Sequence, residues 1–523
     1  MLEKKTNLHN IYVSDHTFNL IFIPTSLKVS NSTCRAGRET QYVLAFLAPE
    51  LPTVTTPDDL VFRLHLHNPS SAAAPANVTV DPAGLTLSLP PGVVNTDVVF
   101  NGSAALVGSM KQAWGGGLLV TACSSDDVEV EVRGSLKTRQ KGAPRASAAF
   151  SVPPSDSLGV DYVVVTHCEK NHCFVGIVAT QPDTSVNITL RLRHSYDVTI
   201  NSSLDYEGQV FWDGDVIEEV LGAFQAMQVL CNECDMSGSR VTASFPVAVL
   251  AGGAIGNMSE NGDIVLEFLP PTDALGTRHV VAKDTESRFV MKVVARHKGT
   301  IFTLSTEPGQ CYLAESDGDT WTLTLPQQSS SAVLNSTLPV LVTLLISRDR
   351  AISNDARMTV LCPVSQWTNA SLHVFKPSQT YTNHVILVAH HSDITAGCLS
   401  VGGSELSTVA VPPLDNLVEG VGELSVVRVP LDKKVDHILL SCSSSCSLCK
   451  PFSGYVHGAG RNYNRGWAMP LGSCSRTSSQ VSDYHGGTSA ERPHDERPAF
   501  KILFIYLFIY LGGWGGRDGD GTW

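Results

Sequence analysis

The chain has 523 residues, with 37 Lys and Arg against 50 Asp and Glu for a net charge of −13, and only 17% of its residues are charged. That length exceeds one small core and admits three or four domains. No Lys/Arg cluster interleaved with aromatics occurs, which excludes nucleic acid as a partner because phosphate binding needs a basic footprint.

Residues 1–33 form an atypical N-terminus. The apolar stretch from Phe18 to Pro24 is too short and interrupted for a signal segment, so a wrongly assigned first exon is expected. From Arg35 the run RAGRETQYVLAFL opens a β region, and VFRLHLH, LTLSLP and VEVEVR then alternate apolar with polar residues. Period two over such lengths predicts half-buried strands.

At Pro153 comes PPSDSLGVDYVVV, which recurs at Pro270 as PPTDALGTRHVVA with seven of thirteen positions identical, and at Cys362 as a fainter copy, CPVSQWTNASLHVF. The preceding segments repeat as well. SGSRVTASFPVAVLAGG matches SSAVLNSTLPVLVTLLI, with Pro246 opposite Pro339, and the bridges GDIVLEFLPP and NDARMTVLCP place Asp263 opposite Asp355. These prolines are expected at the first position of a strand, where a missing N–H is tolerated. Such a chain is an array of one supersecondary unit.

Between the phrases, SVNITLRLR and TWTLTLP alternate, whereas YVVVT, FVGIVAT, FVMKVVA and HVILVAH are continuously apolar and fit strands buried on both faces. EEVLGAFQAMQVL is the nearest candidate for a helix, although a strand pair fits it as well. Copies of roughly 90 to 120 residues holding about six to eight strands have the rhythm of a β-sandwich. The fold expected is all-β, in tandem β-sandwich-like repeats. A β-propeller-like array is the alternative, and with blades of about 40 to 50 residues it would need two unlike blades per copy. The units expected are 34–152, 153–269, 270–361 and 362–455, followed by a disordered tail over 456–523 whose end is expected to be read-through into non-coding sequence. That tail carries only about ten apolar residues from Ile502, half of what a bilayer span requires, so no membrane anchor is expected.

Thirteen cysteines include the close sets Cys168 with Cys173, Cys231 with Cys234, and Cys442, Cys446 and Cys449. In a β-rich chain these predict disulfides and an oxidising compartment. HCEKNHC (His167 to Cys173) offers zinc donors, but its spacing matches no finger or ribbon, and a hairpin disulfide is expected there. CNEC (Cys231 to Cys234) has the form of a redox pair without its β-α-β context, which favours structural pairing. Sequons at Asn31, Asn77, Asn101, Asn187, Asn201, Asn257, Asn335 and Asn369 point to N-glycosylation in an extracellular, secreted protein.

His390 and His391, followed by Asp393, could serve as metal ligands or as a general base with its orienter, but a solvated turn at a strand end is the commoner reason for such a pair and is the reading expected. GGAIGN (Gly252 to Asn257) lacks the Lys and Ser/Thr of a phosphate cradle, and a Gly-rich turn explains it. No set of nucleophile, base and orienter is found. Catalytic residues, metal ligands and cofactors are therefore expected to be none, and the array is built for display of loops.

The order SGSRVTASFPVAVLAGG, acidic bridge, LEFLPPTDALGTRHVVA, together with RAGRETQYVLAFL, NPSSAAAPANVTV, TQPDTSVNITL and ARHKGTIFTL, resembles the N-terminal region of the IgG Fc-binding protein family over about Cys34 to Cys449. The resemblance implies a secreted, glycosylated mucus or surface-defence protein that is not an enzyme and binds extracellular proteins or glycans, immunoglobulin or mucin among them. It supplies no binding motif. The repeated Cys-Gly-Leu-Cys elements of von Willebrand type D units, which follow in a large family member, do not occur here. The alternative reading is a secreted β-rich carbohydrate-acting enzyme using Asp263, Asp355 or the His390 and His391 pair.

Overall fold

The computed structural model describes Ile11–Tyr12 and most residues from 38 to 474. Stretches within that span, among them 195–201, 256–262, 348–355 and 407–416, and everything from 475 onward lie outside the described residues. Among the described residues the chain is strand almost throughout, with one five-residue α-helix at His391–Thr395 and short 3-10 turns.

The second unit shows how each copy is built. Its longest strand, Arg240–Ile255, belongs to two sheets at once. The first half pairs with Gly159–Val163 and Thr184–Thr189, and the second half with His172–Ala179 and Asp263–Phe268. Val216–Leu221 extends the first sheet through Thr184–Thr189, and Ala226–Asn232 extends the second through His172–Ala179. The result is two four-stranded sheets sharing one strand, which passes from one to the other near Pro246. Pairing breaks there, between Gly159↔Val247 and Asp161↔Thr242, where a residue without an N–H does least harm. Ser331–Ser347 does the same in the third unit, with Pro339 in the gap between Gly276↔Val340 and Arg278↔Asn335. Pro246 and Pro339 thus sit inside long strands rather than at the first position expected of them.

The first and fourth units follow the same plan with the shared strand divided in two. In the first, Gly117–Ser124 and Glu131–Gln140 are its halves; in the fourth, His437–Cys442 and Ser453–Gly460. Within a unit the alternation seen in sequence sets the faces. Val186 and Ile188 are buried while Ser185 and Thr189 are exposed, and His172–Ala179 is buried on both sides. Phe46 and Phe62, stacked at 4.4 Å, join the two sheets of the first unit. Of the two readings left open for 218–230, the structure takes the strand pair, Val216–Leu221 and Ala226–Asn232, turned at Phe224 with φ +56°.

The last strand of every unit lies at one axis. Ala143–Val152 touches Asp263–Phe268, which touches Arg357–Val360, which touches Gly466–Pro470, which closes back on Ala143–Val152. Sandwich describes the unit and propeller-like describes the ring. The ring has four blades rather than eight because each copy contributes one blade and carries a further sheet. The closing strand Gly466–Pro470 and the bond from Cys474 to Cys362 lie past 455, so the fourth unit extends into what was expected to be a tail.

The proline phrase is the joint. Pro154, Pro271 and Pro363 precede it with φ/ψ of −62°/150°, −65°/159° and −64°/155°, and three 3-10 residues follow. The fixed proline φ sets that turn. Each phrase then seats on the first strand of the preceding unit: Ser155–Ser157 on Arg38–Ala48, Thr272–Ala274 on Gly159–Val163, and Val364–Gln366 on Gly276–Ala282. A Cβ on Gly276 would stand 2.3 Å from the Pro363 ring, so the Leu-Gly step of one phrase needs glycine to receive the next.

Candidate functional site

An axial strand has a sheet partner on one side only, which leaves a row of N–H groups to satisfy on the other. Along Ala143–Val152, Lys137 pairs with Ser147 and Arg133 with Ser151. The next unit supplies carboxylates at the matching spacing of four residues. The Ser147 N–H donates to Asp263 Oδ1 at 2.8 Å, and the Ile264 N–H donates to the same oxygen at 2.9 Å. The Ser151 and Phe268 N–H groups donate to the Glu267 carboxylate. Asp263 and Glu267 therefore replace a missing ladder between the first two blades.

Glu267 is buried, and burial drives its carboxyl well above the usual range although the two N–H donors and Arg133 oppose the shift. Its Oε2 and the Ser151 Oγ lack hydrogen-bond partners, and both residues line one cavity. All four units wall that cavity, through Ser151 and Pro153, through Glu267 to Pro271, through Val360, and through Pro470 and Cys474. Its volume is about 30 Å³, room for a water molecule, whereas organic ligands occupy pockets of roughly 300 Å³ or more. The axis is a seam with a small void whose walls are mostly apolar.

A second polar cluster joins the second unit to the third. The Lys292 ammonium donates to Thr166 O at 2.6 Å, Asp235 Oδ2 at 2.5 Å and Ser237 Oγ at 3.3 Å. Burial alone would raise the Asp235 carboxyl, but the Lys292 charge and the Ser237 hydrogen bonds override it and hold the group at about 2. Nearby His167 is half-buried and kept neutral, its imidazole pushed down to about 3 by desolvation and by Lys292 against the opposing Asp235. On the same seam Asp161 accepts from Arg240 Nε at 2.8 Å, Arg296 Nη2 at 2.8 Å and Thr272 Oγ1 at 3.0 Å. Burial opposes and these arginines enforce a lowered carboxyl.

The residues singled out in sequence take these places. Asp263 is an inter-unit acceptor at the axis, and Asp355 lies outside the described residues. His391 Nδ1 meets Ser425 Oγ at 3.0 Å, while Asp393 Oδ2 accepts the Lys450 N–H at 2.7 Å. Asp393 thus braces a loop and orients neither His391 nor His390. Gly252 and Gly253 belong to the long strand rather than to a turn. A Cβ on Gly252 would stand 2.0 Å from Val265 O, so the passing axial strand requires glycine there.

The structure pairs Cys168 with Cys173, Cys231 with Cys234, and Cys442 with Cys449. It pairs Cys446 with Cys398, and Cys362 with Cys474; these two bonds span 48 and 112 residues, and short spacing could not have suggested them. Cys311 is a free, exposed thiol. Among the sequons, Asn77, Asn335 and Asn369 are exposed and Asn187 half-buried, while Asn31, Asn201 and Asn257 lie outside the described residues and Asn101 is described in backbone only. Glu267, Lys292 and Asp161 escaped the sequence reading. The available signal was a charged residue inside an otherwise apolar strand, as in DIVLEF and RFVMKVVA.

Polar groups buried between units thus hold the ring together. Among the described residues no helix is long and apolar enough to cross a membrane. A family model described as IgGFc binding protein matches residues 148–458. Human (Homo sapiens) IgGFc-binding protein is 32% identical over 154 residues, which are 29% of this chain and 3% of that protein, so the chain spans a small part of its relative's length. The matched segment runs from the first axial strand into the fourth unit and takes in all three copies of the proline phrase. With more than half of its length inside that match, the chain belongs to the IgGFc binding protein family.

Proposed function

We infer that the chain is an extracellular, non-enzymatic binding module that recognises macromolecules through the outer surface of its ring. The family match over 148–458 carries this reading. It is supported by the five disulfides among described residues, which fit an oxidising compartment. It is supported also by the axial void of about 30 Å³, too small for a sugar ring or peptide to enter. The relative's name makes the immunoglobulin G Fc region the first partner to test, and secretion into mucus or onto a body surface the setting.

The test uses the full chain expressed in secreting cells. Its thiols are titrated, and its binding to immobilised Fc is measured beside Fab, mucin and a glycan array. Saturable binding to Fc alone supports the reading with its partner. Binding to mucin or glycans alone keeps the module and replaces the partner. Free thiols throughout, with no binding to any surface, overturn it.

A further inference from the structure

Two aliphatic patches lie open on the outer sheets. On the second unit Val216 and Val220 are 41% and 58% exposed, and on the third Ile301 and Leu313 are 39% and 54% exposed. Residues paired across neighbouring strands share a face. Ser185 pairs with Val220, Asn187 with Glu218 and Thr189 with Val216, which sets Asn187 between the two valines. In the third unit Asn335 pairs with Thr303. Ile301, two residues along and so on the same face, pairs with Leu313.

Both asparagines open Asn-x-Thr sequons. Asn77 also stands exposed on an outer sheet, opposite Ser88, but no exposed large hydrophobic occurs among the described residues of that hairpin. It is an internal control with the sequon and without the patch.

We propose that Asn187 and Asn335 carry N-linked oligosaccharides whose inner sugars cover these two patches. The proposal rests on the extracellular reading above. In the transfer, Asn Nδ2 bonds to the anomeric carbon of an oligosaccharide supplied by a lipid-pyrophosphate donor. The bond from that carbon to the pyrophosphate breaks, the lipid pyrophosphate leaves with the electron pair, and one amide hydrogen departs as a proton. Pyranose rings offer C–H faces to aliphatic side chains and turn their hydroxyls to water, which suits a strip of alternating Val, Glu and Val. The glycans then blunt two strips that invite non-specific association, and macromolecular binding is directed to other parts of the ring surface.

The experiment compares secreted protein before and after whole-glycan trimming by a peptide N-glycosidase under native conditions, so that no variant has to fold. Glycopeptide mapping is expected to find Asn77, Asn187 and Asn335 occupied. Trimming is expected to raise binding of a hydrophobic-surface dye about two-fold or more. Asn187→Gln and Asn335→Gln, where they fold, reproduce that rise; Asn77→Gln does not. Unmodified Asn187 and Asn335 in a disulfide-bonded secreted protein overturn the proposal and leave the extracellular reading intact. Free thiols with every sequon bare overturn both. Occupied sites whose trimming leaves dye binding unchanged overturn the covering role.

Discussion

The seam between the first and second units and the seam between the second and third join the same kind of blade with different chemistry. At the first, carboxylates of Asp263 and Glu267 accept backbone N–H groups of Ser147 and Ser151, so the partners are fixed by strand geometry. At the second, Lys292 and Arg296 reach across to Asp235 and Asp161, so the partners are side chains chosen by sequence. A repeat can thus keep its topology while its joints diverge, because any group that satisfies a buried donor or charge closes the same gap. The chemistry of a joint decides how it breaks.

The largest effect is expected where a covalent bond helps to close the ring. Three axial strands run into a proline phrase that seats on a neighbouring unit, whereas the fourth is tied by Cys474 to Cys362 across 112 residues. In the chain-entropy account a loop of that length is worth about 4–5 kcal/mol. Replacing both cysteines by serine should lower the denaturation midpoint accordingly and leave the strand signal in circular dichroism intact. An unchanged midpoint would show that the seams alone close the ring.

Lys292→Met strikes the second seam. Removing one partner of an interior pair strands the other charge, and about 3 kcal/mol is expected, the low end of the range because the Asp235 side chain is 24% exposed. Adding Asp235→Asn should recover most of the loss, since two neutral groups leave no charge unpaired. A double variant weaker than Lys292→Met would contradict the assignment.

Asp263→Ala strikes the first seam and leaves the Ser147 and Ile264 N–H groups without their acceptor, for about 2 kcal/mol. Asp263→Asn retains a carbonyl oxygen in place and should cost less than half as much. Equal losses would mean that charge, not geometry, matters at this joint. Hydrogen exchange at Ser147 gives the local measure, faster in the alanine variant than in the asparagine one.

Much of the plan was legible in residues. The twice-repeated phrase marked the joints, because proline and glycine impose backbone shape locally, and alternation in SVNITL gave the faces of its strand. The ring was legible only as the propeller-like alternative, and its closure by four blades was not. Successive axial strands lie about 90 to 120 residues apart and the closing pair, Ala143–Val152 with Gly466–Pro470, far more, and no period within a unit encodes a neighbour at such distances. Asp263 stands out in sequence as part of a repeated bridge, for which catalysis is the alternative role. Its role follows only from seeing that the adjacent strand edge needs acceptors. The two long-range disulfides escaped for the reason that exposes every spacing argument: Cys362 and Cys398 have no close partner in sequence.

The two seams should also part company with pH, through the smallest effect expected. Asp235 is held below its unfolded value of 3.8, at about 2. The stability it lends is present above pH 3.8 and is lost as pH falls toward 2, where the folded state must also take up the proton. Glu267 is raised above its unfolded 4.5, so its contribution is full below pH 4.5 and is lost as pH climbs through the higher folded value. Glu267→Gln keeps a carbonyl for the N–H donors of Ser151 and Phe268 and offers an amide donor toward the unpartnered Ser151 Oγ. It should therefore stabilise the protein above pH 4.5 by about 1 kcal/mol, do nothing at lower pH, and leave the acid limb set by Asp235 in place. Thermal midpoints of the two proteins across pH 3 to 8 measure this. Parallel curves would mean that Glu267 keeps an ordinary carboxylate inside the ring, and the first seam would then be as ionic as the second.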